Sequence, residues 1–372
     1  MAEFIFNKEN PRILVTRADR IGDLVLSTPV FSELRKKFPK SYIGALTFRE
    51  NEALLAGNPF LDEVILYDKK GTEKSWLGNF IFSRKLKQKK FDAVIHLHAT
   101  NRMHIVAWLA GIPVRIGWDR RAAWTLTRVF KDTKSEGAKH EAEYNFDLLK
   151  PLDIALPVKL ETYFPVNSAA EEKTRALLTS LNLKNGKPLV VFSPGASCPS
   201  KRWIPERFGI LAGLIAAKYE VEFAAVGTRA DQPLILKIQQ AAKIPVLDLS
   251  GRLDLFMLGA LLKKSALLIS NDSGPVHIAS AVGTPVVSIF GRKQPGLSPA
   301  RWRPLGDASR YVWKDTECNP CLAHDCQIGF LCLDIISPED VFSEISSIDF
   351  KLKIAVPVLF NGTGSKSDQV RQ

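Results

Sequence analysis

Eight short runs of β-branched and apolar residues recur along the chain between helical patterns: "RILVT" (12–16), "YIGAL" (42–46), "EVILY" (63–67), "DAVIHL" (92–97), "PLVVF" (188–192), "VEFAAV" (221–226), "ALLIS" (266–270) and "PVVSIF" (285–290). The intervals "PVFSELRKKF" (29–38), "PERFGILAGLIAAKY" (205–219) and "LFMLGALLKKS" (255–265) return apolar residues at three- and four-residue steps, the period of a helix. Strands alternating with helices imply βαβ units and parallel sheets. The 372 residues exceed the roughly 250–300 at which a single core divides. "KPLDIALPVKLETYFPVNSAAEE" (150–172), with three prolines and no sustained period, separates the two sets of runs as a linker. The expectation is two doubly wound α/β domains, 1–160 and 161–350, facing a cleft at the C-terminal edges of their strands, where such sheets bind ligands. The tail 351–372, ending "NGTGSKSDQVRQ", reads as disordered.

At 46% hydrophobic and 24% charged, the chain is composed like an ordinary folded soluble protein. "MAEFIFNKENPR" lacks a signal-like apolar core, and nowhere do about 18 apolar residues run uninterrupted, so a cytoplasmic location is expected. A net charge of +12 points to anionic partners: nucleic acid, phosphorylated substrates or an acidic membrane face. The excess concentrates in residues 69–90, where eight Lys/Arg accompany Trp76, Leu77, Phe80 and Ile81 at helical spacing. That stretch either lies on an anionic bilayer or is a solvated helix whose apolar stripe packs on its own domain. It carries no recognisable nucleic-acid motif, which weighs against a basic nucleic-acid-binding protein.

No Walker loop is present, and no Gly-x-Gly-x-x-Gly follows the first strand, which disfavours a nucleotide hydrolase or a simple dehydrogenase. Three other loops carry chemistry. In "LLISNDSGPVHIASAVGTPVVSIFG" (267–291) a strand ends at Ser270 and a helix starts near Pro275. Ser273 and Gly274 let a ligand approach free helix-start amides, an anion site favoured by the helix dipole. Asp272 suits sugar or ribose hydroxyls; alternatively Asn271 or Asp272 caps the helix and His277 merely packs in its first turn. In "VVFSPGASCPSKRWIPERF" (190–208), Ser193 and Gly195 lead to Lys201, placed to neutralise a diphosphate leaving group; the alternative is a basic surface loop with Trp203 packed on its domain. "AVGTRADQ" (225–232), with Gly227 and Thr228, can border a base or ribose. The first strand runs into "VTRADRIGDLVLSTP" (15–29), which delivers Asp23 where a helix begins, either as a base or as that helix's N-cap.

These segments in this order, with "NPFLDEVILYD", "FDAVIHLH", "RIGWDR" and "HEAEYNFDLL", resemble glycosyltransferase family 9, the bacterial lipopolysaccharide heptosyltransferases, over about residues 12–345. The resemblance implies a GT-B enzyme of two Rossmann-like domains, acceptor-binding then donor-binding. It would transfer heptose from ADP-heptose to the inner core of lipopolysaccharide, inverting and without a metal or other required cofactor, at the cytoplasmic face of the inner membrane and with no nucleic-acid partner. Asp23 matches the catalytic carboxylate and Lys201 the lysine at the donor phosphates. Asp272, Ser273, Gly274 and His277 match the donor loop, with Ser273 where heptosyltransferases often have Thr. Donor binding is thereby assigned to Ser193, Gly195, Lys201, Gly227, Thr228, Asp272, Ser273, Gly274 and His277. Arg17 and Arg20 flank Asp23 and suit acceptor phosphates or carboxylates; they are otherwise solvated charges, and Asp19 is a rival carboxylate. Arg229 departs from the family, which commonly has an acidic residue there, so another nucleotide sugar stands as an alternative; a nucleotide-sugar epimerase, which shares the two-domain fold, is a separate rival.

Four cysteines, Cys318, Cys321, Cys326 and Cys332, cluster with His324 in "CNPCLAHDCQIGFLC". They can be reduced buried thiols, a structural metal site or redox-formed disulfides; the spacing fits no standard finger.

Overall fold

The computed structural model of the chain describes residues 6, 8–183 and 186–348; the tail 351–372 lies outside them. Twelve strands form two six-stranded sheets, and every pairing is parallel. The first contains β1 (Arg12–Thr16), β2 (Tyr42–Phe48), β3 (Glu63–Tyr67), β4 (Ala93–His96), β5 (Val114–Trp118) and β6 (Arg128–Phe130) in the order β3-β2-β1-β4-β5-β6. The second contains β7 (Leu189–Ser193), β8 (Glu222–Ala225), β9 (Leu247–Asp248), β10 (Leu267–Asn271), β11 (Val286–Ile289) and β12 (Ser309–Val312) in the order β12-β11-β10-β7-β8-β9. Numbered from its own first strand, each sheet runs 3-2-1-4-5-6, the doubly wound order with a switch point beside its first strand.

The eight expected strands are all present. The four not anticipated are β5, β6, β9 and β12. β6, β9 and β12 are edge or terminal pieces of two to four residues, half-buried or exposed except for Val312, and β5 carries Arg115 and Gly117 within a motif that looks polar. The central β7 and β10 are buried throughout because helices cover both faces.

The expected linker is irregular only as far as Asn167, which caps a helix Ser168–Ser180. That helix belongs with the second sheet: Thr174 Oγ1 donates to the carbonyl of Met257 in helix Leu255–Lys264. The two halves meet at three places, one of them the turn Arg49–Leu54 against helix Leu255–Lys264. Helix Ile21–Val25 of the first packs on helix Gly274–Ala281 of the second, so closely that a Cβ on Gly22 would lie 2.6 Å from His277 Cδ2. The segment 134–141 meets residues 295–303, where His140 Nε2 bonds the Arg303 carbonyl at 2.9 Å.

Residues 76–88 form a helix, Trp76–Gln88, capped by Ser75. It packs on its own domain through Phe82, Ser83 and Leu86 rather than through the anticipated stripe. Trp76 is 82% exposed, and Leu77, Phe80 and Ile81 are also open, so packing of that stripe on its own domain is overturned.

Candidate active site

Strand β1 leaves the sheet at Thr16 and turns into helix Ile21–Val25, whose N-cap is Arg20 in extended conformation with no side-chain capping bond. Asp23 is therefore inside the helix, in its first turn, and does not cap it; a carboxylate there is favoured by the helix dipole. It is 9% exposed, and its Oδ1 accepts a hydrogen bond from Arg17 Nη2. Burial pushes the Asp23 carboxyl up to about 6; Arg17 opposes the rise and Asp19 and Glu141 add to it.

The two flanking arginines part company. Arg20 is exposed, whereas Arg17 is 1% exposed, its guanidinium bound to Asp23, to Glu141 Oε1 at 3.0 Å, to the Leu97 carbonyl at 3.2 Å and to Asn145 at 3.4 Å. Its charge is thus committed within the protein. Asp19 sits at the rim, 3.0 Å from His98 Nδ1 and 3.6 Å from Arg17.

Across the cleft, the loops after β7 and β10 are clamped by Asn271, which donates from Nδ2 to the Pro194 carbonyl at 2.7 Å and accepts from the Trp203 amide at 3.0 Å. Ser270 Oγ reaches both the Ser193 carbonyl and Ser273 Oγ. Ser273 is the N-cap of helix Gly274–Ala281 but makes no side-chain cap bond, and neither Asn271 nor Asp272 caps it either, so the helix-start amides keep their affinity for an anion. Asp272 Oδ2 lies 2.8 Å from Lys201 Nζ and 3.0 Å from Arg292 Nη2, which gathers two cations beside that helix start. His277 is buried against Gly22, and burial lowers its imidazole to about 3, so it is neutral.

The third loop is ordered by Asp231, whose Oδ2 accepts from both the amide and the hydroxyl of Thr228. A Cβ on Gly195 would lie 2.8 Å from Asp231 Oδ1 and one on Gly227 2.8 Å from Asp231 Cβ, so a side chain at either position would push Asp231 aside. Thr228 and Arg229 are exposed at the mouth, Arg229 over Gly251.

The cysteines are free thiols. Cys318, Cys321, Cys326 and Cys332 line a cavity of about 190 Å³ together with Ser200 and Arg292, next to the cation pair. Among the described residues no three His, Cys, Asp or Glu side chains gather so as to hold a metal ion.

Arg292 and Glu141 were not singled out from the sequence, and Asn271 was read only as a possible helix cap, not as the clamp between two loops. Asn271 and Arg292 lie among other polar residues after buried strands, so nothing local marks them out. Glu141, within the quoted "HEAEYNFDLL", is wholly buried at a helix start, where the sequence suggests only a favourable first-turn acid.

Two Rossmann-like sheets facing a cleft, with a buried carboxylate on one side and a helix start beside two cations on the other, have the GT-B architecture. The comparisons narrow the class. The sequence model of glycosyltransferase family 9 (heptosyltransferase) matches residues 80–331, and the chain belongs to that family. It is 29% identical over 299 residues to an Escherichia coli lipopolysaccharide heptosyltransferase 3, covering 78% of this chain and 86% of that protein. Among solved structures, a glycosyltransferase family 9 protein from Veillonella parvula superposes with a TM-score of 0.83 at 24% identity, covering 92% of this chain and 98% of that one. The E. coli heptosyltransferase WaaC with ADP superposes with a TM-score of 0.70 at 18% identity, covering 90% and 99%.

Proposed function

We propose that the protein transfers heptose from ADP-heptose to the inner core of lipopolysaccharide by a single, inverting displacement that needs no metal. The observation that carries the reading is the apposition of Gly22 and His277, which brings the helix bearing Asp23 onto the helix whose free N-terminus lies beside Lys201 and Arg292. A carboxyl poised near 6 is ionised at neutral pH yet basic enough to take the proton of an attacking hydroxyl. On the opposite side, the helix-start amides and Lys201 stabilise the charge that develops on the departing diphosphate, a duty otherwise suited to a metal ion. A diphosphate entering there competes with Asp272 for Lys201 and Arg292 and leaves Asp272 to accept from sugar or ribose hydroxyls. Arg20 and the His98–Asp19 pair border the acceptor side.

The acceptor is lipid-linked, and the exposed Trp76, Leu77, Phe80 and Ile81, continued along the helix by Arg84 and Lys87, suit the anionic inner face of a bilayer. Among the described residues no helix is long and apolar enough to cross a membrane.

The test is incubation with heptose-deficient lipopolysaccharide and ADP-heptose in EDTA. Incorporation of one heptose with inversion at the anomeric carbon is expected. Transfer only from a different nucleotide sugar would overturn the donor assignment and point to Arg229. Turnover of the donor without any acceptor would instead mark an epimerase.

A further inference from the structure

Glu141 is completely buried, yet it joins both halves of the protein. Its Oε1 accepts from Arg17 Nη2 at 3.0 Å and Lys134 Nζ at 2.8 Å, both from the first half. Its Oε2 accepts from Arg301 Nε at 2.9 Å and lies 2.7 Å from Arg301 Nη2, and Arg301 belongs to helix Pro299–Trp302 of the second half. Arg301 is held in turn by the carbonyls of Lys134 and Gly296. Through Arg17 the cluster ends on Asp23.

Three carboxylates, Asp19, Asp23 and Glu141, thus face three cations, Arg17, Lys134 and Arg301. His98 contacts the cluster through Asp19, and His277 faces the Asp23 helix from the second half. Burial works against the Glu141 carboxylate, but Lys134, Arg17 and Arg301 hold it ionised, well below the usual carboxylate range. Mere cohesion of the halves does not call for such a cluster, because buried ion pairs are commonly replaceable by packed apolar groups without loss.

We infer that Glu141 and Arg301 are positioning residues that divide Arg17 between two carboxylates, and so tie the basicity of Asp23 to the docking of the second half on the first. The inference rests on Asp23 being the base. When Arg301 is in place it satisfies one oxygen of Glu141, and Arg17 is free to lean on Asp23. When the halves part, Glu141 loses that cation and draws Arg17 toward itself. Asp23 is then less compensated and stays protonated to higher pH, so the base is competent chiefly with the halves docked.

The two ends of the cluster should move the acid limb of the kcat/KM profile in opposite directions. Glu141→Gln removes a negative neighbour and commits Arg17 to Asp23, which shifts the limb down from near 6 by about one pH unit. Arg301→Gln shifts it up by about one unit, and Arg301→Lys, which keeps the charge, returns it toward the native position. Melting temperature and ADP affinity, measured alongside, report folding and donor binding. If Glu141→Gln does not fold, the Arg301→Gln and Arg301→Lys pair carries the test, with an upward shift and its rescue expected. Lowered activity with the limb unmoved, or moved in the same direction by both charge-removing variants, overturns the inference. Asp23→Asn separates the two readings: if it is inactive while the limbs stay fixed, only this inference fails, and if it turns over like the native enzyme, both fail.

Discussion

Gly22→Ala is the smallest change that tests whether the docked arrangement is the productive one. Gly22 has no left-handed backbone requirement, so alanine meets no conformational penalty and the effect is purely steric. The new methyl would lie 2.6 Å from His277 Cδ2 and 3.3 Å from Nε2, whereas carbon atoms pack at about 3.5–4.0 Å. The imidazole or the helix must therefore retreat by about 1 Å. His277 is 4% exposed and cannot swing into solvent, so the helices themselves are forced apart. Overpacking of this kind costs about 1–3 kcal/mol of stability. The neighbouring residue is Asp23, and a misplacement of about 1 Å at a reacting group lowers turnover by about a hundredfold. The assay is kcat for heptose transfer, with the melting temperature and the Kd for ADP measured on the same preparation. ADP affinity should change less than kcat, because of the residues assigned to the donor only His277 is pushed, while Lys201, Asp272 and the loops after β7 and β8 keep their places. Turnover within about twofold of the native enzyme, with a normal melting temperature, would refute the claim that these helices must touch for the chemistry to proceed.

Two further outcomes follow from the same structure. His104 is fully buried in the first half beside His96, and burial lowers its imidazole to about 4. The unfolded chain takes up a proton below about 6.5 that the folded chain refuses, so this contribution is lost as pH falls. Relative to the native protein, His104→Leu should gain about 1–2 kcal/mol on going from pH 8 to pH 5, after discounting for solvent screening, as read by urea denaturation at both pH values; an unchanged difference would show that His104 is not the acid-sensitive group. Replacing Trp76 and Phe80 together with serine should abolish co-sedimentation with anionic vesicles and leave the melting temperature and ADP affinity as they were, since neither side chain packs in the core; retained vesicle binding would move the membrane contact elsewhere.

How much of this was legible depended on whether a residue's neighbours are near in sequence. β1, β7 and β10 could be read because strands covered on both faces are almost continuously apolar. β9 and β12 could not, because these short edge strands carry half-buried polar residues and lose the apolar pattern. The loops after β7 and β10, proposed to hold the donor, stood out because small and polar residues follow their strand ends, with Asp272 directly after β10. Arg17 was read as facing the acceptor; one position along the turn determines whether a side chain points into the cleft or beneath it, and the structure places it beneath. The contact of Glu141 with Arg301 spans 160 residues and arises only when the two sheets dock, so no local pattern announces it. The stripe of helix Trp76–Gln88 was visible as a face, but whether its own domain covered that face was decided by tertiary packing through Phe82 and Leu86.

The most direct measurement is kcat for heptose transfer to heptose-deficient lipopolysaccharide in EDTA, native protein against Asp23→Asn, with the Kd for ADP determined for both. The account expects the variant to bind ADP as the native protein does and to lose at least about a hundredfold in turnover, because it keeps the shape of the side chain and removes the base. A variant that transfers heptose at the native rate would contradict the assignment of Asp23 and with it the single-displacement mechanism built on that residue.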